Sequence, residues 1–406
     1  MKKKIIYGSI ILLTIIIGLI IANKVKENKY YEIVGYPNMK IAVSYNGEAR
    51  SDFPAKDSNL FYNVIATCDN ADAKWDYDNW ELVVYNLVSK SRCKVSFTTS
   101  NKDTLYNYIV NTLYNNMDGS NNIYREDHTI NGNSYSEYRY EGEDTLVYNY
   151  VWFNNELWRI IGAFPGGTPT TSSTSLGDGA PSTNNTVKII RNDSIGSFAW
   201  DKSNTNDWTV ASLNREILNN LYLNSGSGTC YFYSTTVGNS CSFEDNGLAN
   251  VQDYIETATW NLGGYKCGSV STSVSASDMY TYERGTTVYN SGRPVVTTAK
   301  VGLMYPSDYG YSVTDANCSH TSKKLRSYNT AACGGKAWLL KYGYEWTSTP
   351  CLGDPYSLFI VFHSALVSSS SANSGYGVRP VLYLKSNIYV TGGDGSINNP
   401  YQLSLS

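Results

Sequence analysis

The first sustained hydrophobic run of the chain follows a basic cluster at Lys2 to Lys4. From Ile5 to Ala22 there is no charged residue, and isoleucine and leucine dominate. At about 1.5 Å of rise per helical residue the run covers about 27 Å, close to the thickness of a hydrocarbon core. The pattern predicts a transmembrane helix that contacts membrane lipid through Ile5 to Ala22, and a cleaved secretory signal peptide is the alternative.

The basic residues before this run favour an N-terminus on the inner side of the membrane. They predict a single-pass protein of the cell membrane whose bulk is extracellular. The eight cysteines all lie beyond the run, and an even count suits disulfides formed in an oxidising compartment. Cys68 ends one strand-like run and Cys93 begins another, which favours a bridge between neighbouring strands. Short separations favour the pairs Cys230 with Cys241 and Cys318 with Cys333, and leave Cys267 and Cys351 to bridge or to stay free.

Changes in the hydrophobic pattern divide the chain into five parts. Residues 1–29 are the cytoplasmic start and the anchor. Residues 30–115 hold short β-branched and aromatic runs and then a helical spacing, which predicts a small β-domain ending in a short helix. Residues 116–144 are polar and lack a sustained period, as in a connector. Residues 386–406 predict a C-terminal hairpin.

The remaining part, residues 145–385, alternates strand-like runs with long loops rich in Gly, Ser and Asn. Between Trp208 and Leu223 the apolar residues recur at helical spacing, which predicts a helix. Runs such as those from Tyr150 to Phe164 predict strands. The mixture indicates an α+β domain.

The charge and the motifs of the sequence limit the partners and reactions that can be expected of the protein. A net charge of −3 without a basic stripe argues against a nucleic-acid partner. His128, His320 and His363 lie far apart in sequence, so no metal site is predicted. Nucleophile and phosphate-loop motifs are absent from the sequence, and we predict no catalytic residue and no cofactor. The stretch from Asp201 to Asp207 lacks the glycine of a calcium loop and predicts a polar turn before a helix.

An ordered series of sequence blocks resembles a known family. The blocks run from Tyr150 to Gly162, Val187 to Gly196, Trp260 to Tyr265, Tyr282 to Gly285, Val301 to Ser312 and Gly377 to Ser386. They resemble exported uncharacterised proteins of low-GC Gram-positive bacteria, whose large domain is similar to the fold shared by formylglycine-generating enzyme and the C-type lectins. The resemblance implies a C-type-lectin-like domain over Thr145 to Lys385, preceded by the single transmembrane helix and the small all-β module.

The enzymatic branch of that fold holds copper with a pair of cysteines in a substrate groove. Cys351 alone lies in the matching region, and no second cysteine follows it. We therefore expect no enzymatic activity and keep an exported formylglycine-generating-like enzyme as an alternative.

The segment from Thr347 to Val378 contains no Lys, Glu, Gln, Met or Trp. This restriction resembles the variable region of a diversity-generating retroelement target, and a Ser-rich loop beside a hydrophobic strand is the alternative. Strand alternation places Phe359 in the core and Ile360 on the opposite side, unless both faces are buried. The predicted ligand-binding residues are Leu352, Asp354, Tyr356, Leu358, Ile360, Phe362, His363, Leu366, Ser368, Ser370 and Asn373.

These patterns predict a membrane-anchored, surface-displayed ligand-binding protein of the adhesin or receptor type. Its partner is expected to be an unknown extracellular protein or glycan. The alternatives are the exported enzyme and a structural envelope subunit.

Overall fold

The computed structural model describes residues 20–22, 31–33, 36–87, 90–115, 122–130, 132–169, 179–233, 238–267, 274–290, 292–341 and 343–405. Strands hold 40% of the described residues and helices 13%. Two compact units are present: Met1–Asp103 with Tyr389–Ser404, and Thr104–Ile388 with Leu405–Ser406.

The first unit is built on a sheet whose centre combines parallel and antiparallel pairing. Tyr36–Tyr45 pairs in parallel with Ser91–Asn101, which pairs antiparallel with Leu60–Cys68. Gly392, near the C-terminus, pairs with Tyr62. In order across the sheet the strands are Ile20–Ala22, Tyr31–Ile33, Tyr36–Tyr45, Ser91–Asn101, Leu60–Cys68, Ile388–Gly392 and Gln402–Leu405, with Glu48–Arg50 beside Tyr36–Tyr45.

The core of the first unit lies under this sheet and an added hairpin, Asp72–Asp76 with Glu81–Tyr85. Alternate residues of Ser91–Asn101 are buried, because a strand directs successive side chains to opposite faces. Aromatic rings meet edge to face at Trp75, with Phe97 at 4.8 Å and Trp80 at 5.2 Å between ring centroids. A short strand, Asp103–Thr104, ends at the boundary of the two units.

The second unit contains two larger sheets within its described residues. A seven-stranded sheet has the order Ile123–Ile130, Asn133–Tyr140, Glu156–Phe164, Thr186–Arg191, Val381–Leu384 and Val301–Gly302, with Tyr150–Phe153 beside Glu156–Phe164. A five-stranded sheet has the order Ser197–Ala199, Gly375–Gly377, Glu345–Pro350, Ser357–Val361 and Val367–Ser371. Two small hairpins pair Ser227–Cys230 with Asn239–Ser242 and Ala258–Asn261 with Val296–Ala299.

The helices of the second unit are short. Ser275 caps Ala276–Glu283 by accepting from the Asp278 backbone N–H at 3.1 Å, and the Asp278 carboxylate completes a capping box. The predicted helix after Trp208 is present as a π-helix, Leu213–Tyr222. The other helices are Leu105–Asn107, continued by a π-helical turn at Tyr108–Leu113, Ala249–Tyr254, Pro306–Gly310, Leu325–Ser327 and Gly334–Lys336.

The predicted fold class is wrong in two respects. The chain is mainly β rather than α+β, because most apolar runs are four to six residues long and pair as strands, and a C-type-lectin-like domain is not shown. The predicted anchor lies outside the described residues except for Ile20–Ala22, which forms a strand with Tyr31–Ile33.

Among the described residues no helix is long and apolar enough to cross a bilayer. The sequence predicted a single-pass protein of the cell membrane with its N-terminus inside and its bulk extracellular. This finding contradicts that prediction.

The connector predicted over residues 116–144 is largely a hairpin. Ile123–Ile130 and Asn133–Tyr140 pair along their whole length at one edge of the seven-stranded sheet. The polar composition was misleading because two of the buried residues, Glu137 and Arg139, are charged. Their charges are compensated inside the protein, and a hydrophobic pattern does not reveal such pairing.

All eight cysteines lie within the described residues and form disulfides. The three predicted pairs are confirmed: Cys68 with Cys93, Cys230 with Cys241 and Cys318 with Cys333. Cys267 and Cys351, whose pairing was left undecided, are also bonded to each other and close a loop of 84 residues. The predicted hairpin at residues 386–406 contains the strands Ile388–Gly392 and Gln402–Leu405, and Tyr389–Ser404 belongs to the first unit.

Loop length ranks the disulfides by their expected stabilisation. Replacing Cys267 and Cys351 together by alanine should lower the free energy of unfolding by about 4–5 kcal/mol, because the unfolded chain regains the entropy of a long loop. The matched replacement of Cys230 and Cys241, which close 11 residues, should cost about 3 kcal/mol. Urea unfolding followed by tryptophan fluorescence measures both, and the reverse ranking would contradict the loop-entropy explanation.

Candidate functional site

The predicted ligand-binding segment forms one edge of the five-stranded sheet. Strand Ser357–Val361 lies between Glu345–Pro350 and Val367–Ser371. Leu358 and Ile360 are 0% and 1% exposed, so the prediction that they contact a ligand is wrong. Phe359 is buried as well, so both faces of this strand are covered. The sequence analysis gave this arrangement as the alternative to a strand with one exposed face.

The other nine predicted residues are at least partly exposed, and six of them form two groups. Leu352, Asp354 and Tyr356 lie in the loop before the strand, whereas Phe362, His363 and Leu366 lie in the turn after it. A strand of five residues separates the groups by about 15 Å at about 3.3 Å per residue. Ser368 and Ser370 lie on the neighbouring strand Val367–Ser371, opposite Ile360 and Leu358, and Asn373 follows that strand. The loop residues and the turn residues of the predicted face therefore lie on two surfaces.

The surface at the turn is a cluster of aromatic rings, which we call the aromatic patch: Tyr344, Phe362, His363 and Tyr376. The Tyr344 ring packs edge to face against Phe362 at 4.4 Å and stacks with Tyr376 at 5.1 Å between ring centroids. His363 lies 4.8 Å from Phe362 and 5.2 Å from Tyr344. His363 is exposed and the other three rings are partly exposed, so the patch presents aromatic faces and edges to solvent.

Buried hydrogen bonds fix the backbone beneath the aromatic patch. The Tyr309 hydroxyl donates to the Ala365 carbonyl at 2.7 Å and so holds the turn that carries Phe362 and His363. The Gly377 N–H donates to the Tyr344 carbonyl at 2.8 Å. Beneath them the Trp346 indole donates to the Phe198 carbonyl at 2.8 Å and lies 4.8 Å from the Tyr376 ring. The patch is therefore held in place by the sheet.

Hydroxyl groups border the aromatic patch. Ser370 Oγ is 2.9 Å from the Tyr376 hydroxyl and donates to Ser374 Oγ at 3.2 Å. Gly375 precedes Tyr376 in the same strand and lies close to Phe232 and Tyr233. A Cβ added at Gly375 would lie 2.0 Å from the Phe232 carbonyl oxygen and 3.6 Å from the Tyr233 Cβ. Tyr233, beside this strand, is 66% exposed.

The loop before the strand is pinned by one buried asparagine. The Asn206 amide donates to the carbonyls of Cys351 and Asp354, at 3.0 Å each, and of Ser357, at 2.8 Å. Asn206 is 1% exposed and accepts from the guanidinium of Arg293. The loop is therefore an ordered part of the fold, with Tyr356 exposed at its tip.

A group of six ionisable side chains lies elsewhere and is buried away from solvent. We call it the buried charge cluster: Glu137, Arg139, Lys188, Glu283, Arg284 and Asp308, each 3% exposed or less. Arg139 donates to Glu137 at 2.6 Å and to Asp308 at 2.9 Å, and Lys188 donates to Asp308 at 2.5 Å. A ligand has no access to these groups, so we assign the cluster to the fold and not to binding.

Burial and pairing shift the protonation of this cluster. Burial opposes ionisation of Glu137 and Asp308, but Arg139 and Lys188 hold the pKa values of the two carboxyls below their usual range. Burial raises the pKa of Glu283 to about 7, although Arg284 and Ser307 oppose the rise. Burial also lowers the pKa of Lys188 to about 8.

The remaining chemical candidates are structural. His128 stacks on Tyr280 at 3.6 Å, and the buried ring of His320 bonds to the Val313 carbonyl at 2.6 Å. No group of three or more metal-binding side chains occurs within the described ranges. The Asp201 carboxylate accepts from the Ser203 and Thr205 N–H groups, both at 3.0 Å, as a polar turn requires.

Sequence reasoning missed the residues that complete both surfaces. Tyr344 and Tyr376 were not selected, although each follows a glycine near the predicted strand. Asn206 and Arg293 were missed because they are 87 residues apart and only the fold joins them. No sequence period could have indicated that contact.

No protein-family model, curated protein or solved structure matches the chain. The family resemblance therefore stays a prediction.

Replacing Asn206 by alanine leaves three backbone carbonyls without their side-chain donor. The free energy of unfolding should fall by about 1–3 kcal/mol. Hydrogen exchange of backbone amides in residues 351–357 should accelerate more than exchange in Thr186–Arg191. Asn224→Ala removes an exposed asparagine and serves as the control. Equal exchange in both variants would show that Asn206 does not hold the loop.

The raised pKa of Glu283 makes stability depend on pH in a defined direction. Between about pH 4.5 and pH 7 the folded state keeps the Glu283 proton and the unfolded state loses it, so this residue lowers stability as pH rises. Glu283→Gln removes the titration, and its stability relative to the natural protein should rise across that window by up to about 3 kcal/mol. Urea unfolding at several pH values measures the difference, and a constant difference would contradict the shift.

Proposed function

We propose that the protein is a binding protein of the adhesin or receptor type that engages a protein ligand through the aromatic patch. The observation that carries the proposal is the set of partly exposed rings of Tyr344, Phe362, His363 and Tyr376, which rest on a fixed β scaffold. Aromatic side chains dominate binding energy where they are rigid before the partner arrives.

The composition around the rings supports a protein partner. Residues 368–377 read SSSSANSGYG, and Tyr, Ser, Gly and Asn are the residues enriched in antibody binding loops. Tyrosine offers a large contact area with few rotatable bonds, and serine and asparagine adapt their hydrogen bonds to the partner. None of these residue types carries a charge, so association would bury no unpaired ion.

The two other functions considered from the sequence receive less support. An enzyme of the formylglycine-generating type would use the Cys351 thiol for copper, and here Cys351 is bonded to Cys267. A structural subunit would use the same aromatic surface to assemble with copies of itself. Size-exclusion chromatography with light scattering separates these cases, since a binding protein is expected to elute as a monomer.

Substitutions in the aromatic patch should weaken binding of a peptide ligand without unfolding the protein. A displayed library of random peptides, selected on the natural protein, is the probe. Peptides so selected should lose at least tenfold in affinity for Tyr344→Ala and Phe362→Ala, because each variant removes a central ring of the patch. Tyr282→Ala removes a tyrosine that is 39% exposed on helix Ala276–Glu283 and should leave affinity unchanged. Peptides that bind all the proteins equally would refute the proposed surface.

A further inference from the structure

The five-stranded sheet ends at strand Val367–Ser371, whose one neighbour among the described residues is Ser357–Val361. An edge strand offers unpaired backbone N–H and C=O groups, and natural proteins often protect such an edge with charged residues or proline. The outermost strand of the seven-stranded sheet, Ile123–Ile130, follows that rule with three consecutive charged residues. Val367–Ser371 contains no charged residue and no proline, so its side chains do not prevent pairing with a further strand.

The register of the ladder shows which backbone groups of this strand face outward. The Ala372 N–H donates to the Tyr356 carbonyl at 2.7 Å just beyond the paired strands. Bonded and non-bonded pairs alternate along an antiparallel ladder, so Ser370 and Ser368 also direct their backbone groups toward the neighbouring strand. Ser369 lies between them and therefore directs its N–H and C=O away from the sheet.

The outward groups of this strand are accessible beyond Val367. Within the residues that the structure describes, no loop or side chain donates to or accepts from the Ser369 backbone. Ser369 is partly exposed, and Ser371, the next residue with an outward N–H, is exposed. Val367 is buried, and the turn Leu325–Ser327 lies close to the strand. The open part of the edge is therefore residues 368–371, which we call the serine edge.

The serine edge adjoins the aromatic patch. Ser370 Oγ lies 2.9 Å from the Tyr376 hydroxyl, and Ser368 lies on the same face of the strand as Ser370 because side chains alternate. Neighbouring strands are about 4.8 Å apart, and serine side chains are short. A strand added beside Ser369 would therefore direct every second side chain toward the face that carries Tyr376.

We propose that the protein ligand binds as an extended peptide segment that pairs with the serine edge as a sixth strand of the sheet. This inference rests on the proposed function and adds the way in which the ligand is held. Main-chain hydrogen bonds to Ser369 give affinity, and alternate side chains of the ligand contact the aromatic patch and give specificity. A segment with apolar residues at every second position fits best, because neither the edge nor Tyr376 carries a charge.

A second copy of the chain is a weaker candidate for the same edge. Two copies would bring together strands whose open side chains are all serine, with no apolar group to remove from water. The open stretch of four residues spans only about 13 Å at about 3.3 Å per residue. A stable protein interface buries about 1,000 Å² or more, which so short a polar edge does not supply by itself.

Ser369→Pro tests the edge from the side of the protein. Proline removes the outward N–H without breaking a bond of the sheet, and the residue before a proline favours the extended backbone that Ser368 already has. Peptides selected on the natural full-length chain should bind Ser369→Pro weaker by roughly tenfold or more. Ser369→Ala keeps the N–H and should bind within about twofold of the natural protein. Thermal unfolding of both variants checks that the fold is kept.

A second measurement leaves the protein unchanged. The tightest selected peptide is synthesised with an N-methyl group on one backbone nitrogen at a time, and its affinity for the natural protein is measured by isothermal titration calorimetry. Methylation should weaken binding by roughly tenfold or more at every second residue of the bound segment, because alternate N–H groups of an added strand donate to the sheet. At the residues between them the loss should stay below about threefold.

The outcomes separate this inference from the proposed function. Equal affinity for the natural protein and Ser369→Pro, or a methylated series without a two-residue period, overturns the added strand. If Tyr344→Ala still weakens binding in that case, the aromatic patch remains the ligand surface and only the mode of binding is wrong. If neither variant weakens binding, both proposals are overturned. A natural protein that is dimeric while Ser369→Pro is monomeric also overturns the inference, since a second copy would then occupy the edge.

Discussion

The second unit depends on six ionisable side chains that meet out of contact with water. Glu137 and Arg139 come from a strand of the seven-stranded sheet, Lys188 from another, Asp308 and Glu283 from two short helices, and Arg284 from the end of the helix that holds Glu283. Removing one partner of such a group costs about 3–5 kcal/mol, because it leaves an uncompensated charge in a medium of low polarity. The short helices have little stability of their own. These ion pairs therefore determine where the helices dock on the sheet.

The predictions that succeeded rest on local rules. Cysteines 11 and 15 residues apart were paired correctly from their separation, and Cys68 and Cys93 from their places at the ends of strand-like runs. Apolar residues at helical spacing located Leu213–Tyr222. The predictions that failed concerned contacts between residues that are far apart in sequence. The hairpin of Ile123–Ile130 and Asn133–Tyr140 looked like a connector because its buried charges have partners that are distant in sequence, such as Asp308, 169 residues from Arg139.

The candidate site was predicted only in part, because some of its contacts also join residues that are distant in sequence. Phe362 and His363 lie in a turn, where Phe362 is partly exposed and His363 is exposed, so the sequence pattern was sufficient to keep them out of the core. Ile360 was assigned to the exposed side because alternation identifies two faces of a strand and does not tell whether the second face is covered. The rings of Tyr344 and Tyr376 join the patch through the order of strands, which a single sequence does not encode in any short pattern.

The return of Tyr389–Ser404 to the first unit sets an order of events during synthesis. Gly392 pairs with Tyr62, and the Tyr77 hydroxyl donates to Asn399 Oδ1 at 3.3 Å. The ribosome makes these partners more than 300 residues apart, so the whole of Thr104–Ile388 emerges between them. Domains generally fold in the order in which they emerge. Here the unit that begins first is completed last, and its sheet has an unpaired edge until the final strands arrive.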